Sequence, residues 1–151
     1  MEKLNLPPAD LKLKEREGKT YVFDRIRKKW VVLTPEEWVR QHIIFYLIRY
    51  KSYPQTLMQV EKEMYWNKMR LRSDLLVSSS QGEPLMLVEC KAPAIHLTTA
   101  VFEQIATYNQ RYHVPFLLVT NGKKHYCCTI NYRDKSYTYL SEIPEYDQLG
   151  K

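Results

Sequence analysis

Hydrophobic and polar residues alternate along this chain with two periods, and the changes of period mark its elements. From Leu11 to about Leu33 the period is two: LKLKE, then YVFDRI, then WVVL, with Gly18 in one turn and Arg27-Lys28-Lys29 separating the last two runs. That spacing predicts a β-hairpin or meander. At Thr34 the pattern becomes helical. Thr34 can cap, Pro35 suits a first helical turn, and Glu37 stands three residues after the cap, as a capping box requires. The predicted helix runs to about Lys51 and ends before Tyr53-Pro54. Its apolar residues, including Ile43, Ile44, Phe45 and Leu47, surround most of the cylinder, so it is expected to be buried on most sides.

Residues 57–66 and 70–77 are predicted strands, 78–84 a loop, and 85–91 (LMLVECK) a strand stopped by Ala92-Pro93. A second helix starts at Thr98 or Thr99 and continues to about Tyr112, with Val101, Ile105, Tyr108 and Tyr112 at helical spacing. Strands at 115–120, 125–132 and 136–140 follow, the first two joined by Asn121-Gly122, a type I′ turn signal. The expected fold is α/β: a mixed central sheet flanked by helices, preceded by an N-terminal β-hairpin. Residues 1–10, with Pro7-Pro8, are expected to be a flexible lead-in, and 11–151 a single domain.

At 151 residues, with 44% hydrophobic and 26% charged residues, the composition fits one globular core and excludes a disordered tail or a coiled-coil rod. No apolar run approaches the ~18 residues that span a bilayer, and the N-terminus lacks the apolar stretch of a signal peptide. The expectation is a cytoplasmic protein with no membrane association. Cys90, Cys127 and Cys128 are an odd set, read as reduced, buried thiols. His125 beside Cys127 and Cys128 does not make a zinc site, because no C-x-x-C accompanies it. Lys and Arg total 23 against 17 Asp and Glu, and a net charge of +6 attracts polyanions such as DNA. Gly18-Lys19-Thr20 looks like the end of a phosphate loop, but Leu13 stands where the loop's first glycine is needed, which leaves a hairpin turn.

The informative stretch is 72–91. An almost wholly apolar strand ends in Glu89-Cys90-Lys91, and period two puts Glu89 and Lys91 on one face. Burying such charges costs several kcal/mol unless partners are found. If 71–78 and 85–91 form a hairpin turning at Gln81-Gly82, Asp74 lies opposite Glu89. Carboxylates that close repel unless a cation lies between them, and a hard divalent ion such as Mg²⁺ suits the pair. A lysine beside such an ion could stabilise charge developing on a phosphoryl group. The bland alternative is a salt-bridge ladder at a strand edge.

Asp74, a fourteen-residue spacer, then Glu89-Cys90-Lys91 resembles the D…(D/E)-x-K signature of the PD-(D/E)XK nuclease superfamily, with Ser73 in the place of its proline. The wider pattern RSDLLV…PLMLVECKAP…FEQIATYNQRY…FLLVTNG resembles the N-terminal nuclease domain of type I restriction enzyme R subunits. The resemblance implies a restriction-endonuclease-like α-β-β-β-α-β core and a DNA endonuclease dependent on Mg²⁺ or Mn²⁺. It implies helicase or specificity subunits of a restriction system as partners. Asp74, Glu89, Lys91 and Gln104 would be catalytic, and Asp74, Glu89 and Glu37 the metal ligands, although Glu37 already has work as a capping residue. Gln104 and Tyr108 fit the Q-x-x-x-Y pattern of RecB-like members, Tyr108 also fitting a core role. Tyr108, Arg72, Arg111 and Lys123 would contact DNA. The alternative is a nuclease fold that binds nucleic acid or another subunit without cutting.

Overall fold

A computed structural model describes residues 1–61, 64–66, 69–71 and 73–150. The N-terminal meander is present: β1 (Leu13–Arg16), β2 (Lys19–Asp24) and β3 (Lys29–Val32) form a three-stranded antiparallel sheet. Arg16 pairs with Lys19 across a two-residue loop, in which Glu17 and Gly18 both have positive φ (52° and 77°). That is the geometry of a type I′ turn, so Gly18-Lys19-Thr20 serves a hairpin.

Helix α1 (Pro35–Lys51) starts where Thr34 Oγ1 accepts the Glu37 N–H and ends at Ser52, in the left-handed region. The expected capping box is only half built. The Glu37 carboxylate turns to Arg27 and Gln41 rather than back to its cap.

A six-stranded sheet follows, in the order β11-β10-β9-β8-β7-β4. Its strands are β4 (Met58–Val60), β7 (Leu75–Ser78), β8 (Pro84–Cys90), β9 (Phe116–Thr120), β10 (His125–Asn131) and β11 (Ser136–Tyr139). Neighbours are antiparallel except β8 and β9, which are parallel and joined through α2 (Thr99–Asn109). The expected core order of one helix, three strands, a helix and a strand is therefore seen as α1, β4, β7, β8, α2, β9, and the sheet is mixed and flanked by helices. Strand alternation divides the core in two. Leu75, Val77, Met86 and Val88 pack with Val39, Ile43 and Leu47 of α1, whereas Leu76, Leu87 and Leu117 pack with Phe102 and Ala106 of α2.

Three local expectations differ. The strand predicted over 57–66 breaks after β4, where Glu61 has φ 47°. Its second part is β5 (Met64–Trp66), which pairs with β6 (Met69–Leu71) in a separate ribbon. The ribbon keeps the β4–β7 register, so at the break Glu61 faces Asp74, and the Glu61 N–H donates to the Asp74 carbonyl at 3.2 Å.

The turn at Asn121-Gly122 is a four-residue loop instead of type I′. Only Gly122 has positive φ (87°), and Asn121 Oδ1 accepts the N–H groups of Lys123 and Lys124. The asparagine side chain replaces the backbone turn.

The flexible lead-in expected over 1–10 is tied down at its start. Leu4 is buried in the α1-side core, the Asn5 N–H donates to the Gly122 carbonyl at 2.8 Å, and Trp38 Nε1 donates to the Glu2 carbonyl at 2.8 Å. One apolar side chain and a backbone pairing, neither visible as local periodicity, anchor it.

Candidate functional site

Strands β7 and β8 carry the register expected from sequence: Leu75 opposite Val88, Leu76 opposite Leu87, Val77 opposite Met86. The hairpin loop is longer than expected, because a bulge puts Ser78 opposite Pro84 and leaves 79–83 outside the ladder. One step beyond Leu75 and Val88, Asp74 and Glu89 lie side by side at the open end of the hairpin. Asp74 Oδ2 accepts the Cys90 N–H at 2.7 Å. Ser73 Oγ donates to the Leu75 and Val88 carbonyls, which fixes the backbone just before the acid.

The Glu89 carboxyl is pushed up to about 8 by burial, then by the charge of Asp74 and a hydrogen bond with it, against a smaller pull from Lys91 and Arg40. Two carboxyls this close repel one another, and their oxygen donors, with the Asp74 side chain 27% exposed, fit a hard divalent ion. Among the described residues, no group of three or more His, Cys, Asp or Glu side chains is placed to hold a metal. Lys91 follows on the Glu89 face, half-buried, with its N–H donating to the Thr120 carbonyl at 2.8 Å.

Behind the acids lies a polar cluster that sequence reading missed in part. Arg40, with its side chain 5% exposed, places Nη2 at 2.9 Å from Glu61 Oε1 and 3.9 Å from Asp74 Oδ1, and Nε at 3.7 Å from Glu37 Oε2. Burial works against its charge, but Glu37 and Glu61 outweigh burial and raise its pKa. Glu37 also accepts from Arg27 Nη2 at 2.8 Å and from Gln41 Nε2 at 2.9 Å. Its carboxylate is thus engaged by Arg27, Gln41 and Arg40, and Arg40 is the group that links it to Asp74. Arg27 and Gln41 both reach Asp24 of β2, which ties the meander to α1. Asp74 lies between Glu61 on β4's side and Glu89 on β8's side, an acidic row across three chain segments. Glu61 and Arg40 carry no local signal, because each looks like an ordinary solvated charge until the strands pair.

Gln104 and Tyr108 share an exposed face of α2, with the Tyr108 ring 6.1 Å from that of Tyr112. Since β9 runs parallel to β8, α2 must run back along the sheet, and its first turns stand at the end that carries Glu89. Lys123 lies on the β9–β10 loop, its Nζ 2.7 Å from Glu2 Oε2. Arg72 and the side chain of Arg111 lie outside the described residues. The three cysteines are free and buried, as expected. Both ring nitrogens of His125 are engaged, Nδ1 with Thr120 Oγ1 at 2.7 Å and Nε2 with the Asn5 carbonyl at 3.0 Å.

Residues 35–144 match the family described as the type I restriction enzyme R protein N terminus. The chain belongs to that family. It is similar to the structure of a fragment assigned as an HsdR subunit of a type I restriction enzyme from Vibrio vulnificus YJ016, at 17% identity and a TM-score of 0.52. That match covers 78% of this chain and 25% of the other, so the chain spans about a quarter of the length of the relative it matches. At this identity the likeness speaks for the fold. No curated protein sequence matches the chain. Among the described residues, no helix is long and apolar enough to cross a membrane.

Proposed function

We propose that this domain is a metal-dependent DNA endonuclease that hydrolyses phosphodiester bonds, as the nuclease part of a type I restriction system. The observation that carries the reading is the adjacent Asp74–Glu89 pair, with Lys91 on the same strand, in a chain of the R protein N-terminal family. Mg²⁺ or Mn²⁺ bound there would supply a Lewis acid and lower the pKa of a water.

Asp74 and Glu89 would hold the ion through oxygen, Asp74 being oriented by the Cys90 N–H. Lys91 sets a positive point charge against the phosphoryl oxygens as negative charge develops. Arg40 is a positioning residue, keeping Asp74, Glu61 and Glu37 in one arrangement from behind. Gln104 and Tyr108, on the exposed face of α2, meet the substrate backbone, and Lys123, Arg72 and Arg111 are assigned to phosphates along the approach. Partner subunits with helicase and specificity roles would bring DNA to the domain.

The test is cleavage of duplex, single-stranded and branched DNA with and without Mg²⁺ or Mn²⁺, with Glu89→Ala as control. Metal-dependent cutting lost in Glu89→Ala is the expected result. Absence of cutting on every form, with DNA binding retained, would replace this reading by a non-cleaving nucleic-acid or subunit-binding role.

A further inference from the structure

A concavity lies away from the acid pair, between the meander and α1. It has a volume of about 400 Å³, and its lining includes Lys12, Phe23, Arg25, Lys28, Gln41, Phe45 and Gln55, with Asp10 as its one acid. This volume falls in the range of roughly 300–1,000 Å³ typical of small-molecule sites.

Three features of the wall define a ligand. The first is aromatic surface: Phe23 and Phe45 are both half-buried and both line the cavity, which suits a flat apolar group. The second is positive charge. Lys12 Nζ lies 5.8 Å from the Phe23 ring centre and the Arg25 guanidinium 5.7 Å from that of Phe45, so each cation sits over an aromatic ring. Lys28, exposed at the β2–β3 turn, adds a third, and three cations against Asp10 leave the wall positive.

The third feature is Gln41, which is 2% exposed. Its Nε2 donates to Asp24 Oδ2 at 3.0 Å and to Glu37 Oε2 at 2.9 Å. Two carboxylates fix which end of the amide is which, because a flipped amide would set its oxygen against both. These bonds use only Nε2, and Gln41 lines the cavity, so its carbonyl Oε1 is the acceptor this residue can offer a ligand.

Flat apolar surface, fixed cations and one preset acceptor match one chemistry. We propose that this cavity binds a nucleotide: a base stacked between Phe23 and Phe45, its exocyclic amino group donating to Gln41 Oε1, and its phosphate held by Arg25 and Lys28. The ligand is either a free nucleotide or one unpaired nucleotide of a nucleic-acid strand. The site does not depend on the nuclease reading, since none of its ligand contacts involves Asp74, Glu89 or Lys91.

The experiment is fluorescence titration of the full chain with mant-AMP, labelled on the ribose, followed by competition with AMP, CMP, UMP, adenosine and a short oligodeoxyadenylate. Saturable binding is expected, with AMP and CMP displacing the probe at lower concentration than UMP, and adenosine much weaker for want of a phosphate. Arg25→Ala combined with Lys28→Ala should weaken binding about tenfold or more. Phe45→Leu, which keeps volume but removes the ring, should weaken it by about the same factor. Arg133→Ala combined with Lys135→Ala, which removes equal charge at the β10–β11 turn, should leave it unchanged, as should Glu89→Gln. Stronger competition by the oligonucleotide than by AMP assigns the cavity to a strand, and the reverse assigns it to a free nucleotide. The proposal is overturned if neither AMP nor the oligonucleotide displaces a saturable signal, if adenosine matches AMP, or if the two double variants behave alike. Melting curves of each variant separate lost binding from lost folding.

Discussion

Asp74 is oriented by Cys90, whose backbone N–H donates to Asp74 Oδ2 at 2.7 Å. The first acid is thus held by the residue next to the second, which fixes Asp74 to the end of β8. Arg40 stands on the other side of the same carboxylate, 3.9 Å from Oδ1.

The roles of the three motif residues separate in titration. Glu89→Ala and Asp74→Asn should each abolish metal-dependent cleavage and weaken Mn²⁺ binding, since each takes an oxygen ligand or its charge away. Asp74→Asn keeps an acceptor for Cys90, so its melting temperature should stay near that of the parent. Lys91→Ala should keep Mn²⁺ binding while turnover drops by about 10²–10³, the effect of losing one preorganised charge. Calorimetric metal titration beside a cleavage time course reads both. Loss of metal binding in Lys91→Ala equal to that in Glu89→Ala would refute the assignment.

Arg40→Met tests the cluster behind the acids. Removing the buried cation takes one partner from Glu37 and Glu61, which keep Arg27, and one from Asp74. Breaking a fully buried pair from one side costs about 3–5 kcal/mol, and the loss here should be smaller because the Glu61 side chain is 48% exposed. Urea denaturation should show that loss. Adding Glu37→Gln to Arg40→Met should recover part of it, because one of the carboxylates that lost Arg40 is then uncharged. A double variant no more stable than Arg40→Met would show that Glu37 and Arg40 are not coupled.

Acid should loosen the meander from α1 through Asp24. Burial alone would raise this carboxyl, but the backbone and side-chain hydrogen bonds of Arg27, its charge, and the Ile26 N–H outweigh burial and hold it below its ordinary value of 3.8. The folded form therefore keeps the charge to lower pH than the unfolded chain does. The stability it contributes is complete above the unfolded value and is lost as pH falls through 3.8 towards the lowered folded value. Asp24→Asn should remove this part of the acid dependence and lower stability at neutral pH by about 1.5–3 kcal/mol. Urea midpoints across that range check both statements.

The docked N-terminus predicts a specific glycine requirement. Gly122 has φ 87°, and a Cβ there would come within 2.7 Å of Leu4 Cδ2. Gly122→Ala thus adds about 1–2 kcal/mol of backbone strain and displaces the Leu4 side chain. Leu4→Ala should cost about 2–5 kcal/mol, as for other buried leucines. Limited proteolysis should clip residues 1–10 faster in both variants. Unchanged proteolysis would show that Leu4 does not anchor the segment.

The parts of the fold that were legible in sequence are those governed by near neighbours. Thr34-Pro35 marks the start of α1, the apolar run of 85–91 marks a strand, and a hairpin with the strand before it brings Glu89 to Asp74. What escaped depends on distant segments. The left-handed conformation at Glu61 splits an apparently continuous strand, and the pairing of β4 with β7 brings Glu61 to face Asp74. Arg40 sits in an apolar helix and gains its meaning from Glu61, twenty-one residues on. The Asn121-Gly122 signal was ambiguous for a local reason: the asparagine side chain can close the turn itself, and it does so here.

The acid pair sits at the open mouth of the β7–β8 hairpin, and the bulge and loop at 79–83 lie at its closed end. Lengthening and mutation therefore have unequal consequences along these strands. Residues added to 79–83 only enlarge a loop whose closure cost grows slowly with length. A matched pair of residues added to each strand would carry the acids outward together. A single residue inserted between Asp74 and Val77, or between Met86 and Glu89, would turn one acid to the opposite side of the sheet and separate it from its neighbour. The distance between the two acids along the chain is thus free to drift, and its parity relative to the ladder is not.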